Sequence, residues 1–414
     1  MQKEKMVPEI RFKGFEGKWV EYELGSLYSF LKGSNLSQDS FYYSNDKKAI
    51  AYGHLYTIYG PVINAVHLSS NEKTSLISKK NDLLFPGSST VPLGTAQANA
   101  IMLNGVKLGG DIICARPIKD NVDSQFVSYQ INAQKYKLFP IISGTTISHM
   151  YASGLKNTKW KFTTLNEQST ISDFFNNLLI LIQSQELKLK KLNEVKQSLL
   201  NKMFASENQK SPEIRFKGFE EEWTKEILKK LVTTFSGLTN VAKEDFSFGE
   251  NYYVTYLNVF SNPMAKLNDL EKVNIHSKQN NLIKGDILVT GSSETPEEVG
   301  MTSIWNYNFE NVYLNSFCFG LRPKNLENIN IDFSAYLFRS LLVRKQIILL
   351  AQGISRFNIS KNKFLEVSLT FPIYAEQQKI GQFFSNLDSL IQSQELKLEK
   401  LNNIKQALLE KMFC

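Results

Sequence analysis

The stretch that decides the fold is residues 167–204, EQSTISDFFNNLLILIQSQELKLKKLNEVKQSLLNKMF, which returns at residues 376–413 as EQQKIGQFFSNLDSLIQSQELKLEKLNNIKQALLEKMF. The two copies are identical at 26 of 38 aligned positions. Neither copy contains proline, and Gly381 is the only glycine. Each copy is therefore predicted to form one uninterrupted helix, about 57 Å long at ~1.5 Å per residue.

The apolar residues of this repeated stretch follow one another in steps of three and four, which is nearly coiled-coil spacing. The seam of the first copy contains Ile171, Phe175, Leu178, Ile182, Leu189, Leu192, Leu199 and Met203, and that of the second contains Phe384, Leu387, Ile391, Leu398 and Leu401. Gln185 and Gln394 occupy equivalent seam positions, where a polar residue can fix the register. Since a lone helix cannot bury such a stripe, the two copies are predicted to pair as an antiparallel two-helix coiled coil within one chain.

A second repeat precedes each long helix. Residues 8–19 read PEIRFKGFEGKW and residues 212–223 read PEIRFKGFEEEW. The chain is thus predicted to be a duplicated unit with an internal pseudo-two-fold repeat. The predicted segments are an opening peptide (1–19), a globular domain (20–166), a long helix (167–204), a linker with the second peptide (205–223), a second globular domain (224–375) and a C-terminal long helix (376–414).

Length and composition agree with a folded multidomain protein. The chain has 414 residues, 42% of them hydrophobic, a net charge of +8 and a pI near 9.0. The moderate basic surplus favours an anionic partner without naming it. Three cysteines argue against a disulfide framework, and neither a signal peptide nor a membrane-spanning run is evident. We therefore expect a soluble protein that works in the cytoplasm.

The two globular stretches have diverged but keep a common outline. Short β-rich runs end in Arg116-Pro117 and in Arg322-Pro323, and segments 126–137 and 333–350 have helical patterns. Short strands mixed with one or two helices predict an α+β domain in each half. The alternative reading of the divergence is simple drift of a duplicated domain.

Several loops in these domains combine small hydroxyl residues, asparagine and occasional cations. Such side chains can reach base edges and phosphates of DNA, although ordinary surface turns use the same residues. Gly87 and Gly291 in these loops could equally be turn glycines that need a positive φ. The candidate DNA contacts are Lys32, Ser34, Asn35, Ser88, Ser89, Thr90, Thr145, Thr146 and His149 in the first domain, and Thr239, Asn240, Ser292, Ser293, Ser355, Arg356 and Asn358 in the second.

Catalytic motifs are not evident in the sequence. It contains no GxxxxGK[ST] phosphate loop, and its four histidines lack metal-ligand spacing. Cys114 and Cys318 fall in corresponding strand-like runs and are predicted to be core thiols. We therefore expect no catalytic residue and no metal site in this chain.

The duplicated PEIRFKGF peptides, the variable globular domains and the Glu-Gln starts of helices that close in KMF together resemble the specificity subunit of a type I restriction–modification enzyme. The resemblance covers essentially the whole chain. One departure is that the second long helix is preceded by Phe371-Pro372-Ile373, whereas the first is preceded by Lys161-Phe162-Thr163 and has no proline. The start of the first helix is correspondingly less well defined by the sequence.

The resemblance implies that this chain reads double-stranded DNA and catalyses nothing. The globular stretches would be target-recognition domains, each reading one half of a split, asymmetric target, and the paired helices would set the gap. Two adenine methyltransferase subunits would dock on the helices and peptides, and a restriction/translocase subunit can join. S-adenosylmethionine, ATP and Mg are then expected only on those partners. The competing readings are a coiled-coil scaffold with two protein-binding heads, and an enzyme with unrecognised motifs.

Overall fold

The fold was analysed in a computed structural model that describes residues 6–91, 93–205 and 209–414. The chain divides into two compact units, unit 1 with Met1–Glu186 and Leu396–Cys414, and unit 2 with Leu187–Glu395. Each unit therefore contains one globular domain and a part of both long helices. Residues 206–208 of the predicted linker and residues 1–5 of the opening peptide lie outside the described residues.

Unit 1 is a mixed domain of short strands and helices. Its strands are β1 Val20–Glu23, β2 Tyr28–Lys32, β3 Phe41–Tyr43, β4 Ala49–Ile50, β5 Val62–Ile63, β6 Leu68–Ser70, β7 Asp82–Pro86, β8 Ser88–Ser89, β9 Asn99–Ile101, β10 Lys107–Leu108, β11 Ile112–Pro117, β12 Ser148–His149 and β13 Lys159–Phe162. Its helices are α1 His54–Thr57, α2 Ser124–Ala133, α3 Ala152–Lys156 and α4 Leu165–Lys202, the last of which continues into unit 2. The main sheet has five strands in the order β2-β11-β7-β9-β5.

Unit 2 repeats this plan. Its strands are β14 Thr224–Ile227, β15 Val232–Ser236, β16 Phe246–Val254, β17 Leu270–Val273, β18 Ile287–Thr290, β19 Ser292–Ser293, β20 Thr302–Ile304, β21 Val312–Leu314, β22 Cys318–Pro323, β23 Phe357–Asn358 and β24 Ser368–Phe371. Its helices are α5 Leu228–Leu231, α6 Tyr256–Ser261, α7 Ile331–Leu337, α8 Leu341–Leu349, α9 Lys361–Phe364 and α10 Tyr374–Lys411, which continues into unit 1. The main sheet has the order β15-β22-β18-β20 and so matches four of the five strands of unit 1. The predicted α+β class and internal repeat are confirmed.

A buried carboxylate at the start of one central strand anchors each sheet. Asp82 in β7 is fully buried and accepts hydrogen bonds from Nε and Nη2 of Arg116 at 2.8 and 2.7 Å. Asp286 and Arg322 repeat this fork in unit 2, at 2.9 and 2.8 Å. The arginine of each Arg-Pro ending is thus explained, because its guanidinium neutralises a carboxylate that water cannot reach. Cys114 lies in β11 with Arg116, and Cys318 lies in β22 with Arg322. Both cysteines are buried, as predicted.

The two long helices pair antiparallel, as predicted, and the pairing is visible inside each unit. In unit 1 the start of α4 meets the end of α10, where the rings of Phe175 and Phe413 stack with centroids 6.0 Å apart. In unit 2 the start of α10 meets the end of α4, where Phe384 lies 5.9 Å from Phe204. A start that packs against an end in both units requires opposite directions.

The predicted seam positions of these helices face inward. Phe175, Ile182 and Phe384 are buried at 1%, 3% and 0% exposure. The other members pack against the same cores or are half-buried, namely Leu178, Leu189, Leu192, Leu387, Ile391, Leu398 and Leu401. The helices begin at Leu165 and Tyr374, which are equivalent positions two residues before each Glu-Gln pair. The proline before α10 therefore does not change where the helix starts.

The predicted segments with a helical pattern are only partly continuous. In unit 1, α2 ends at Ala133 and a 3₁₀ turn follows at Lys135–Ile141, which contains Pro140. In unit 2, the corresponding segment is divided into α7 and α8 at residues 338–340. The first break lies at Gln134, whose backbone is not helical at φ −119° and ψ 41°.

The same ion pair occurs in both repeats and joins each opening peptide to the long helix of its repeat. The guanidinium of Arg11 donates to both carboxylate oxygens of Glu167 at 2.7 Å, and Arg215 donates to Glu376 at 2.7 and 2.8 Å. The two glutamates are buried at 1% and 0% exposure. The near-identity of the two PEIRFKGF peptides therefore has a structural basis, since each supplies the cation for a carboxylate buried in the first turn of a long helix.

Candidate nucleic-acid interface

In unit 1 a short two-stranded ladder brings together two of the loops that the sequence singled out. Strand β8 pairs antiparallel with β12, so that Ser89 faces Ser148 and Ser88 faces His149. In unit 2, β19 pairs with β23, so that Ser292 faces Asn358 and Ser293 faces Phe357. We call these the serine ladders of the two units. Loops that are more than 50 residues apart in the chain thus meet at one place in each domain.

The serine side chains of the ladders point inward. Ser88 and Ser89 are 5% and 1% exposed, and Ser292 and Ser293 are 8% and 7% exposed. Ser89 donates its hydroxyl to the carbonyl of Val91 at 3.1 Å. The hydroxyls of Ser88, Ser89 and Ser293 are thus engaged within the protein, and any contact that the ladder serines make with a nucleic acid stays a prediction.

The glycines that precede the ladders are required by close backbone contacts. A Cβ at Gly87 would lie 2.8 Å from the carbonyl oxygen of Asp111, and one at Gly291 would lie 2.9 Å from that of Phe317. Neither glycine has a positive φ, so the alternative of a turn glycine that needs a positive φ is wrong. The two backbone segments of each contact are also hydrogen-bonded. The amide of Gly87 donates to the carbonyl of Asp111 at 2.6 Å, and that of Gly291 donates to the carbonyl of Phe317 at 2.9 Å.

Asp111 links two of the predicted loop residues in unit 1. Its carboxylate accepts the hydroxyl of Ser88 at 3.0 Å and lies 3.4 Å from the ammonium of Lys32. Lys32 is 72% exposed, so its charge remains available to solvent. Sequence reasoning missed Asp111, whose only signal was its place directly after Gly109-Gly110.

Beyond Lys32 the first loop turns through Ser34 and Asn35. The hydroxyls of Ser34 and Ser75 lie 2.8 Å apart, and the amide of Asn35 donates to the carbonyl of Lys73 at 3.0 Å. Asn35 has φ +54°, and Asn240 in the corresponding loop of unit 2 has the same value. Asparagine tolerates this left-handed conformation, which explains why it recurs in loops whose sequences otherwise differ.

The equivalent loop of unit 2 is held by a glutamine. The backbone amide of Thr239 donates to the side-chain oxygen of Gln279 at 3.1 Å, and the Gln279 amide donates back to the carbonyl of Thr239 at 2.9 Å. Thr239 and Asn240 are both exposed. The framework of this loop is therefore fixed while its side chains face solvent.

Exposed residues project from the turns beside the ladders. In unit 1 these are Thr90, Thr145 and Thr146, with the half-buried His149 beside them. In unit 2 they are Ser355, Arg356 and Asn358. The guanidinium of Arg356 lies 5.9 Å from the ring centroid of Phe317, whose own ring is 61% exposed. The exposed residues thus differ between the units, while the ladders that support them are alike.

The turns that carry these exposed residues have nearly the same backbone in both units. Gly144 and Gly353 have φ values of +96° and +140°, and a Cβ on either would lie about 2 Å from the carbonyl of Ile147 or Arg356. In unit 2 the phenol of Tyr256 donates to the carbonyl of Ser292 at 2.7 Å, and burial raises its pKa. Tyr256 and Phe317 were missed by sequence reasoning, because their importance depends on pairing between distant segments.

Two further properties bear on the kind of site. Among the residues that the structure describes, no cluster of three or more histidine, cysteine, aspartate or glutamate side chains is placed to hold a metal ion. Within the same ranges, no helix has the length and apolar character needed to cross a membrane.

Comparison with known proteins decides the family. The sequence model of the type I restriction modification DNA specificity domain matches residues 16–197 and, a second time, residues 220–403. The chain belongs to this family. The resemblance that the repeated motifs predicted is therefore confirmed, and each repeat of the chain is one specificity domain.

Individual relatives are distant in sequence. The specificity subunit of the type I restriction enzyme StySPI from Salmonella potsdam is 24% identical over 188 residues, which span 44% of this chain and 40% of that subunit. The aligned part is thus less than half of the length of that relative.

Solved structures share the fold of the specificity domains. The S subunit of a type I restriction–modification system from M. genitalium matches with a TM-score of 0.58 at 17% identity, and the match covers 99% of both chains. A chain from a structural study of complex assembly and conformational transition of the type I R-M system matches with a TM-score of 0.55 at 14% identity, over 95% of this chain and 97% of that chain. At these identities the likeness shows the fold alone.

Proposed function

We propose that this chain is the DNA-reading subunit of a type I restriction–modification complex and that each specificity domain reads one half of a split, asymmetric target. The observation that carries this proposal is the pair of serine ladders. Their framework recurs in both units, whereas the exposed residues change from Thr145 and Thr146 in unit 1 to Ser355 and Arg356 in unit 2. A constant support with variable tips suits a module that is duplicated to read two different sequences.

The chemistry of the complex is assigned to partner subunits. A specificity subunit selects the site, and methyltransferase subunits then extrude the target adenine from the duplex to modify it. S-adenosylmethionine, ATP and Mg would be held by those partners and by any restriction/translocase subunit. A subunit with this role works beside the DNA that it reads, in the cytoplasm.

Exposed apolar residues on the long helices support two partner docking sites. Leu187 and Val195 in unit 2 are 53% and 50% exposed, and their repeat counterparts in unit 1, Leu396 and Ile404, are both 50% exposed. Exposed apolar groups that recur at equivalent positions favour two copies of one partner, bound in equivalent ways. We therefore assign the docking of two methyltransferase subunits to these faces, since the seam residues themselves are occupied within the chain.

The decisive test exchanges one domain. Replacing residues 20–166 by the same region of another family member is expected to change one half-site and leave the other unchanged. Methylated adenines mapped by single-molecule sequencing in cells carrying the partner subunits report both half-sites and the gap. Change in both half-sites would refute the modular assignment. An intact chain that binds no duplex DNA in an anisotropy assay would favour the scaffold alternative.

The gap between half-sites is expected to follow the length of the long helices. Inserting four or seven residues, about one or two helical turns, between Glu186 and Lys196 and at the equivalent place in α10 should lengthen the tolerated gap. Both half-sites should stay the same, because the serine ladders are untouched. The control replaces the same number of residues at the same places, so that the sequence changes and the helix length does not. A gap that does not change would show that the helices do not set it.

Arg356 is the best candidate for direct base recognition in unit 2. Truncation to alanine is expected to cost ~1–3 kcal/mol of discrimination at one base pair, if the guanidinium reaches a guanine edge. Binding titrations on a panel of single-base variants of the target measure this loss. Lys345→Ala, an exposed cation of the same unit away from the ladder, is the matched control. A loss that is uniform over all sequences would make Arg356 a phosphate contact.

A further inference from the structure

Unit 2 contains a cleft that the proposed reading function does not use. It lies between α4, α10 and the segment that follows α6, and it has two adjoining lobes of about 450 Å³ each. Asn193, Lys196 and Tyr336 line both lobes. Each lobe is within the size range of small-molecule sites in proteins, roughly 300–1,000 Å³.

In one lobe every charged residue of the lining is a cation. Its charged residues are Lys196, Arg339 and Arg344, and no carboxylate side chain contributes to its wall. The other lobe contains Tyr307, with Asp388 on its wall in a 2.5 Å ion pair with Lys196. We call the first the cationic lobe and the second the aromatic lobe.

Within the described ranges, the acceptors of the two guanidiniums are all neutral backbone carbonyls. Arg339 donates through Nε to the carbonyl of Thr302 at 2.8 Å and through Nη2 to the carbonyls of Val259, Phe260 and Asn262 at 2.9–3.1 Å. Its Nη1 has no protein acceptor within the described part of the chain. Arg344 likewise donates to three carbonyls, those of Glu297, Val299 and Gly300, through Nη1 and Nη2 and not through Nε. Carbonyl oxygens orient these side chains without neutralising their charge.

Among the described residues, Lys196 is paired with Asp388, but neither guanidinium forms an ion pair with a carboxylate. Burial, together with the charge of Arg344, lowers the pKa of Arg339 to about 10, and the carboxylate of Asp388 acts in the opposite direction. Burial alone lowers the pKa of Arg344 to about 10. Both side chains are half-buried, and the repulsion between two neighbouring like charges would be relieved by an anion bound beside them.

The corresponding place in unit 1 lacks this feature. By the alignment of Phe126 with Phe333, the positions of Arg339 and Arg344 correspond to Asn132 and Lys137. Asn132 donates to the carbonyl of Ala98 at 2.6 Å, and Lys137 lies over the ring of Trp160 at 5.3 Å. The paired guanidiniums therefore belong to unit 2 alone and are not part of the common framework of the specificity domain.

We propose that this cleft binds a small phosphate-bearing ligand of nucleotide size, with its phosphates in the cationic lobe and its base or sugar against Tyr307 in the aromatic lobe. Arginine N–H groups in a planar fork suit phosphate oxygens, and an aromatic ring provides a stacking face. A ligand there touches α4 and the recognition domain of unit 2 together and places negative charge beside the two guanidiniums. Because the groups face one another across a cleft, a free small molecule suits it better than the backbone of a duplex.

The test uses the full chain, with ADP and pyrophosphate as probes in calorimetric titrations at low salt. Asn193→Asp places a carboxylate on the wall of the cleft, where it competes with the ligand for the cations, and is expected to weaken both probes about tenfold. Asn402→Asp is the matched control, since Asn193 and Asn402 are repeat equivalents whose amides donate to the carbonyl four residues earlier at 3.1 and 3.2 Å. The control should bind both probes like the parent chain, and equal unfolding midpoints of the two variants show that the fold is kept.

Three outcomes would overturn the proposal. The parent chain could bind neither probe, or both aspartate variants could weaken binding equally. A short non-specific duplex could also displace ADP and itself lose as much affinity as ADP in Asn193→Asp, which would assign the cationic lobe to DNA phosphates. Binding of the DNA target is measured in parallel, which keeps this test separate from the test of DNA reading. Loss of ADP binding with unchanged half-sites would leave the proposed function intact.

Discussion

Arg215→Ala is expected to destabilise unit 2 by about 3–5 kcal/mol, because it leaves the carboxylate of Glu376 buried without a counter-ion. Glu376 is 0% exposed and takes both of its short hydrogen bonds from Arg215, at 2.7 and 2.8 Å. The hydrogen bond to Glu376 also raises the pKa of Arg215, so the guanidinium stays charged at any pH at which the protein is handled. Urea unfolding, with hydrogen exchange of the peptides of α7 and α10, measures the loss and locates it.

Two companion variants separate charge from packing. Lys210→Ala removes the cation of an exposed pair with Glu222 in the same unit, with 74% and 68% of the two side chains exposed, and should change stability little. Arg215→Met combined with Glu376→Leu removes both charges and should recover most of the stability lost in Arg215→Ala. Equal stability of Arg215→Ala and Lys210→Ala would show that the buried carboxylate does not depend on its partner. Arg11 and Glu167 allow the same comparison in unit 1.

The long helices could be predicted because their information is local. Periodic apolar residues, the absence of proline and the repetition of the whole stretch all act within one segment, and the helices indeed run over Leu165–Lys202 and Tyr374–Lys411. Only the pairing of the two helices depends on segments far apart in the sequence, and the near-identity of the copies indicated that pairing. The buried fork of Arg11 with Glu167 was not predicted, since it joins residues 156 positions apart.

The candidate interface could be predicted only as a set of loops. Sequence reasoning named Ser88, Ser89 and His149, but not that β8 and β12 pair, because two-residue strands have no alternation to recognise. Nor could it show that the serines face inward while Thr145 and Thr146 face solvent. The smaller sheets around the ladder are less predictable still. It forms separate two-stranded pairs β3-β6 and β4-β10 in unit 1 and one three-stranded sheet β17-β16-β21 in unit 2.

Phe413→Ala is expected to destabilise unit 1 by about 3–5 kcal/mol, although the residue ends the helix of the second repeat. Its ring is 5% exposed and packs with Phe126, Phe175 and Trp19 at centroid distances of 5.4, 6.0 and 6.4 Å. Phe204 at the end of α4 has the mirror role in unit 2. Each repeat therefore completes the aromatic core of the other, and each substitution should act on the unit opposite to its own repeat.

Hydrogen exchange resolves this crossed effect, because α2 reports on unit 1 and α7 reports on unit 2. Phe413→Ala should speed exchange in α2 and leave α7 unchanged, and Phe204→Ala should do the reverse. Phe139→Ala, whose ring is 41% exposed in unit 1, is the control for loss of an aromatic side chain and should have a small effect in both helices. Faster exchange in α7 alone after Phe413→Ala would mean that each long helix ends against its own domain. The antiparallel pairing rests on each long helix ending against the domain of the other repeat. That result would therefore remove the structural basis for the pairing.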